Sequence, residues 1–240
     1  MKRLFILLSL PLLSALSLHG NPPEADEVIA KAREFLGGDD RLAAIETLRY
    51  EGTFETREGA TGEVTIELAK PLLQRLTVAR DDRVQETVLG AYEGWVSEFL
   101  AENPRRRNVA VMDAGRIREL RANTWENLYF YKNIERRRGS VDNLGFHEID
   151  GRETVGLAFN HRGGYTFTRY FDPETGELVH TKTGEGTTLR EEGEKVVDGI
   201  RFPERVVTLS DGEVVHTVTF TNIEVNPEFP EKTFAFPETD

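Results

Sequence analysis

From Leu48 onward the chain alternates: Leu48, Tyr50, Gly52, Phe54 and Thr56 are separated by Arg49, Glu51, Thr53, Glu55 and Arg57. A period of two sends one set to each side of a β-strand, so the segment predicts a strand with one greasy and one charged face. The pattern returns after the Gly59 to Gly62 turn in Val64, Ile66 and Leu68, and after Pro71 in Leu72, Gln74, Leu76 and Val78. Val84 to Leu89 and Trp95 to Phe99 continue the meander, punctuated by Gly90 and Gly94. Further on, the hairpin turns are spelled Asp150-Gly151, His161 to Gly164, Asp172 to Gly176, Asp198-Gly199 and Asp211-Gly212. Strands such as Glu153 to Asn160, Tyr165 to Phe171 and Glu213 to Asn222 lie between them.

Two stretches follow a helical period instead. Ala25, Val28, Ile29, Ala32, Phe35 and Leu36 fall on one helical face, and Gly37-Gly38 follows where a left-handed cap belongs. Asp39 is placed to cap a short second helix carrying Leu42 and Ile45. Asn103 to Tyr131 breaks the alternation, because Ile117, Leu120, Thr124, Trp125, Leu128 and Tyr131 recur at helical spacing behind an N-cap at Asp113.

Strand twist accumulates in a sheet this large until it curls. The pattern therefore predicts a mainly β (α+β) fold, a curved antiparallel half barrel of about eleven or twelve strands with a helical lid. With no repeat and no linker, residues 21–240 read as one such domain. Two helical segments cover the concave side without filling it, and an unfilled apolar hollow takes a hydrophobic ligand. Its expected lining is Phe54, Ile66, Leu68, Leu76, Val78, Trp95, Leu128 and Phe167. Alternation says which way a residue points and not whether space remains, so the same residues would equally make an ordinary packed core.

The N-terminus adds a location. Met1-Lys2-Arg3 followed by the apolar run from Leu4 to Leu18 predicts a signal peptide over residues 1–20, with the cut near His19-Gly20, and a periplasmic protein. Once Lys2 and Arg3 are removed, 42 acidic residues face 28 basic ones, an excess of 14 negative charges. Such a surface repels nucleic acid. The absence of cysteine excludes disulfides, thiolate metal sites, a cysteine nucleophile and a lipobox.

The order of motifs resembles the LolA/LolB-like superfamily of periplasmic lipoprotein-sorting and lipid-handling proteins. The resemblance lies in the N-terminal amphipathic helix, Gly37-Gly38 and the Ile45 to Phe54 stretch; in Glu93-Gly94-Trp95, Ile149 to Arg152 and Tyr170 to Leu178; and most of all in the run from Val197 to Pro237. There Asn226-Pro227 ends the last long strand, and Phe234 and Phe236 are expected to plug the sheet edge. The resemblance implies a half barrel with a helical lid that binds acyl chains and passes lipids or acylated proteins between membranes, with an inner-membrane exporter or an outer-membrane acceptor as partner. It also implies a lid latched by an arginine, to which no single arginine of this sequence aligns. The missing lipobox cysteine argues against the membrane-anchored receptor branch.

Other chemistry is sparse. The histidines after the leader, His147, His161, His180 and His216, show no metal-binding spacing, and Ser97, Ser140 and Ser210 lie in no nucleophile elbow. No cofactor motif is present, and the reading is non-enzymatic. Arginines cluster at 105–107, at 116, 118 and 121, and at 136–138, reversing the sign of an acidic chain. They either meet anionic head groups or an acidic partner, or pair on the surface with Glu102, Glu119, Glu126 and Glu135. An envelope sensor using the same fold to regulate a membrane partner is the alternative to a carrier.

Overall fold

The structure, a computed structural model, describes residues 21–184 and 186–237. The expected signal peptide lies outside the described residues. The chain begins with helices α1 (Ala25–Leu36) and α2 (Asp39–Ala43). It then runs through β1 (Thr47–Thr56), β2 (Thr61–Ala69), β3 (Leu73–Arg80), β4 (Arg83–Leu89), β5 (Gly94–Leu100) and β6 (Arg107–Val111) to helix α3 (Ala114–Tyr129). The second half contains β7 (Ser140–Ile149), β8 (Arg152–His161), β9 (Tyr165–Phe171), β10 (Leu178–Lys182) and β11 (Thr188–Glu192). A small hairpin of β12 (Lys195–Val197) and β13 (Ile200–Phe202) follows, then β14 (Arg205–Ser210) and β15 (Glu213–Val225).

Thirteen strands form one open antiparallel sheet in the order β6-β5-β4-β3-β2-β1-β15-β14-β11-β10-β9-β8-β7, and β12 and β13 pair only with each other. The sheet is slightly larger than the pattern predicted because Arg107–Val111, expected within the helical insertion, forms edge strand β6. Each half is a meander, and the last strand returns to pair with the first at the centre of the sheet. There the register slips: Glu51 faces Asn222 but Gly52 faces Phe220, leaving Thr221 as the extra residue of a bulge. A Cβ on Gly52 would lie 2.1 Å from the Thr219 carbonyl oxygen, so the close approach of the two strands requires glycine.

Residues directly opposite one another share a face, so the register sorts the side chains. Leu48, Tyr50 and Gly52 face Leu68, Ile66 and Val64, which in turn face Gln74, Leu76 and Val78. This is the concave face, and the helices lie on it. Val28, Ile29 and Ala32 of α1 and Ala122 and Trp125 of α3 pack against Val155, Leu157, Phe159, Phe167 and Phe171. Leu42, Ile45, Leu128, Ile200 and Phe202 pack over Leu48, Tyr50, Leu68, Phe220 and Ile223.

Part of the opposite face is covered as well. The tail after Asn226 crosses it, with the Arg49 guanidinium over the Phe229 ring, Phe234 against Phe229, and Phe236 edge-on to Trp95 at 6.0 Å. Phe234 and Phe236 therefore pack on the back of the sheet rather than plugging its edge. Asp39 is likewise the first residue of α2 rather than its cap, the capping position being Gly38.

Candidate functional site

Helix α3 crosses the concavity as a lid. It starts where the sequence predicts, with the Asp113 carboxylate accepting a hydrogen bond from the Arg116 backbone N–H at 2.9 Å. It stops at Phe130 and Tyr131, which adopt left-handed φ of 46° and 73°. Bulky side chains seldom adopt that conformation, so neighbouring structure must hold it. Arg33 of α1 does so: one of its terminal nitrogens donates to the carbonyls of Tyr129 at 3.0 Å and Phe130 at 2.7 Å, and its Nε donates to Asp39. Lys132 reaches the same Asp39 oxygen at 2.6 Å. The hydrogen bond from Lys132, followed by that from Arg33, holds the Asp39 carboxyl below the usual carboxylate range. One arginine thus ties the first helix to the end of the lid.

Beneath α3 lies a cavity of about 180 Å³. Its floor is Tyr50, Ile66, Leu68, Leu76 and Phe220, its sides include Phe202, Pro203, Phe130 and Tyr131, and its roof is formed by Asn123, Glu126 and Asn127 of the lid. Arg169, Glu191 and Arg201 add charge to this space. Glu126 is buried and accepts from Arg169 Nε at 2.9 Å, while His161 Nε2 lies 2.6 Å from its other oxygen. Burial opposes the charge on Arg169, but Glu126, with Tyr131 and Glu191, together offset this and raise its pKa. Crowding by protein atoms pushes the Glu191 carboxyl up, against the opposing pull of Arg169, an effect that the residue's exposure to solvent weakens. The buried Thr124 hydroxyl of the lid lies 2.7 Å from the Leu120 carbonyl of its own helix and 3.0 Å from the side-chain amide of Gln74 in β3. The lid is therefore fastened to the sheet by specific polar contacts.

The eight expected lining residues are distributed among several places. Ile66, Leu68 and Leu76 meet in the cavity. Phe54 and Val78 border a wider depression of about 730 Å³ farther along the strands. Leu128 and Phe167 are buried in the two cores that carry the lid. Trp95 is on the other face. It pairs with Val88, and the concave position of that hairpin belongs to Leu89. Val88 and Leu89 are both fully buried, so period-two reading could not tell the faces of β4 and β5 apart. Of the residues not anticipated, Tyr50 and Phe220 lie in legible alternations. Arg169 occupies the inward position between Phe167 and Phe171, an interruption by a charge that could have marked it. Arg33 gave no signal, because its partners are backbone carbonyls nearly one hundred residues away.

Among the described residues no group of three or more His, Cys, Asp or Glu side chains could hold a metal ion, and no helix is long and apolar enough to cross a membrane.

No protein-family model matches the chain, and no curated protein sequence does. Solved structures do match. A LolA superfamily protein from Nitrosomonas europaea is similar at 14% identity, covering 88% of this chain and 97% of that one with a TM-score of 0.57. A Vibrio parahaemolyticus domain named for outer membrane lipoprotein sorting matches at 12% identity, 88% and 97% coverage and a TM-score of 0.57. A DUF1329 family protein from Desulfovibrio piger matches at 11% identity, 87% and 96% coverage and the same TM-score. At these identities the likeness is one of fold, and the fold of this chain is LolA-like.

Proposed function

We propose that this chain is a non-enzymatic periplasmic carrier that holds a lipid, or the acyl chains of a lipoprotein, under α3. The observation that carries the reading is the cavity between the polar underside of the lid and the apolar floor made by Tyr50, Ile66, Leu68, Leu76 and Phe220. Burial of an acyl chain there is favourable by about 0.8 kcal/mol per methylene. The space, about 180 Å³, is smaller than the roughly 300–1,000 Å³ of typical ligand sites. A full acyl chain therefore requires α3 to lift, extending the hollow past Leu76 toward Val78 and Phe54, with Leu128 and Phe167 exposed on the underside. The contacts of Arg33 and Glu126 are what such lifting would break. The leader-like residues 1–20 support the periplasmic location, and the fold shared with a domain named for lipoprotein sorting supports an inner-membrane exporter or outer-membrane acceptor as partner.

The test is solvent extraction and native mass spectrometry of gently purified protein, with binding of a fluorescent fatty acid alongside. Co-purified acyl species and probe binding that Leu76→Trp abolishes are expected. Ligand-free protein that also ignores the probe overturns the reading.

A further inference from the structure

The outer side of α3 carries a feature that the hollow does not explain. A groove of about 790 Å³ runs between the lid, the turn after it and the β8–β9 turn, and it is lined by Arg118, Arg121, Arg136, Arg137, Arg138 and Arg162. No carboxylate lines it. None of the six forms an ion pair with a described residue; the nearby Arg116 takes Glu119, while Glu126 is committed to His161 and Arg169. Surface pairing, which the sequence left open for all of these but Arg162, is therefore not what disposes of their charge. Six guanidinium groups converge in a chain whose formal net charge is −12. Asp113 lies near enough to Arg118 to interact with it electrostatically, but with no ion pair among the six, an anion from outside would relieve their mutual repulsion.

The groove is shaped by the fold. Gly163, at a φ of 104°, leaves room for the stem of Arg118: a Cβ there would stand 2.7 Å from Arg118 Cδ. Its wall is aromatic, with the Arg137 guanidinium 6.0 Å and Lys70 Nζ 5.8 Å from the Tyr129 ring centre. At its rim Arg121 donates to the Ala91 carbonyl at 3.2 Å, holding the loop that presents Tyr92 at 93% exposure.

We infer that this groove docks the protein on an anionic lipid surface, the arginines taking lipid phosphates while Tyr92 enters the interface. Arginine forks suit phosphate oxygens, and a protruding tyrosine beside them suits the boundary between head groups and chains better than it suits an acidic peptide. The inference goes beyond the carrier reading and does not need it, since it concerns the outside of the lid rather than the hollow.

The test is flotation of the soluble protein, purified as its expressing cell processes it, with vesicles containing phosphatidylglycerol and with vesicles of phosphatidylcholine alone. Binding to the anionic vesicles that weakens with salt is expected. Removal of each guanidinium should weaken it about five-fold, in Arg162→Gln and in the combined Arg136→Gln, Arg137→Gln and Arg138→Gln variant. Tyr92→Ser should weaken it without changing the salt dependence, which keeps the idea testable if the multiple variant misfolds. Equal binding to both vesicle types, or arginine variants that bind as the parent does, overturns the inference. So does complete displacement by millimolar inorganic phosphate, which identifies a small-anion site, and so does an arginine-dependent grip on polyglutamate without vesicle binding, which identifies an acidic protein partner. Fatty-acid probe binding, measured on the same variants, should be unchanged and separates this outcome from failure of the carrier reading.

Discussion

Glu126 on the lid helix and Arg169 on β9 form a buried ion pair, Oε2 to Nε at 2.9 Å, in the polar roof of an otherwise greasy cavity. Such a pair contributes little net stability when intact, because desolvation offsets attraction, but removing one partner strands a charge in the interior. Glu126→Ala is therefore expected to destabilise the fold by about 3–5 kcal/mol, and Glu126→Ala with Arg169→Met by less than the sum of the two single changes. Urea unfolding of the four proteins measures this; additive effects would show that the pair is not coupled.

Arg33 is expected to set how readily the lid opens. Arg33→Met removes two charge-assisted bonds to the Tyr129 and Phe130 carbonyls, each worth about 1.5–3 kcal/mol. Amide hydrogen exchange should accelerate over 120–131 far more than over β8 and β9. Uniform acceleration would indicate a global loss of stability instead.

Asp39 supplies a pH dependence. Its folded-state carboxyl is depressed by Lys132 and Arg33, so its contribution is present in full above the unfolded value and fades as pH falls through the lower folded one. Because the side chain is half exposed, the effect belongs with surface pairs, at or below about 1 kcal/mol. Asp39→Asn should lower the melting temperature at pH 7 by no more than about 2–4 °C, with the difference shrinking as pH falls below about 4. A gap that persists in acid would assign the effect to something other than the carboxylate charge.

Trp95 tests the sorting of faces. Truncation to alanine removes its packing against Phe236 on the back of the sheet and should cost about 3–5 kcal/mol. Fatty-acid probe affinity under folding conditions should stay at the parent value. A selective loss of probe binding at unchanged stability would return Trp95 to the ligand site.

The sequence by itself determined most of the elements, edge strand β6 excepted, and much of their arrangement. Alternation from Leu48 to Val78, the Asp-Gly turns and the Asp113 cap are local signals, carried by residues a few positions apart, and they led directly to a coiled antiparallel sheet with two helical covers. They also brought Ile66, Leu68 and Leu76 together, because equally spaced residues of consecutive hairpins fall on one face. Only the tertiary structure decided what no local pattern encodes. The side of β5 to which Trp95 belongs depends on a tail more than one hundred residues later. The latch at Arg33 depends on where a distant helix ends. The arginines at 118, 121, 136–138 and 162 become one groove only when a β-turn folds beside the lid. Facing direction follows from backbone period, whereas free space, shared partners and converging charge follow from which distant segments meet.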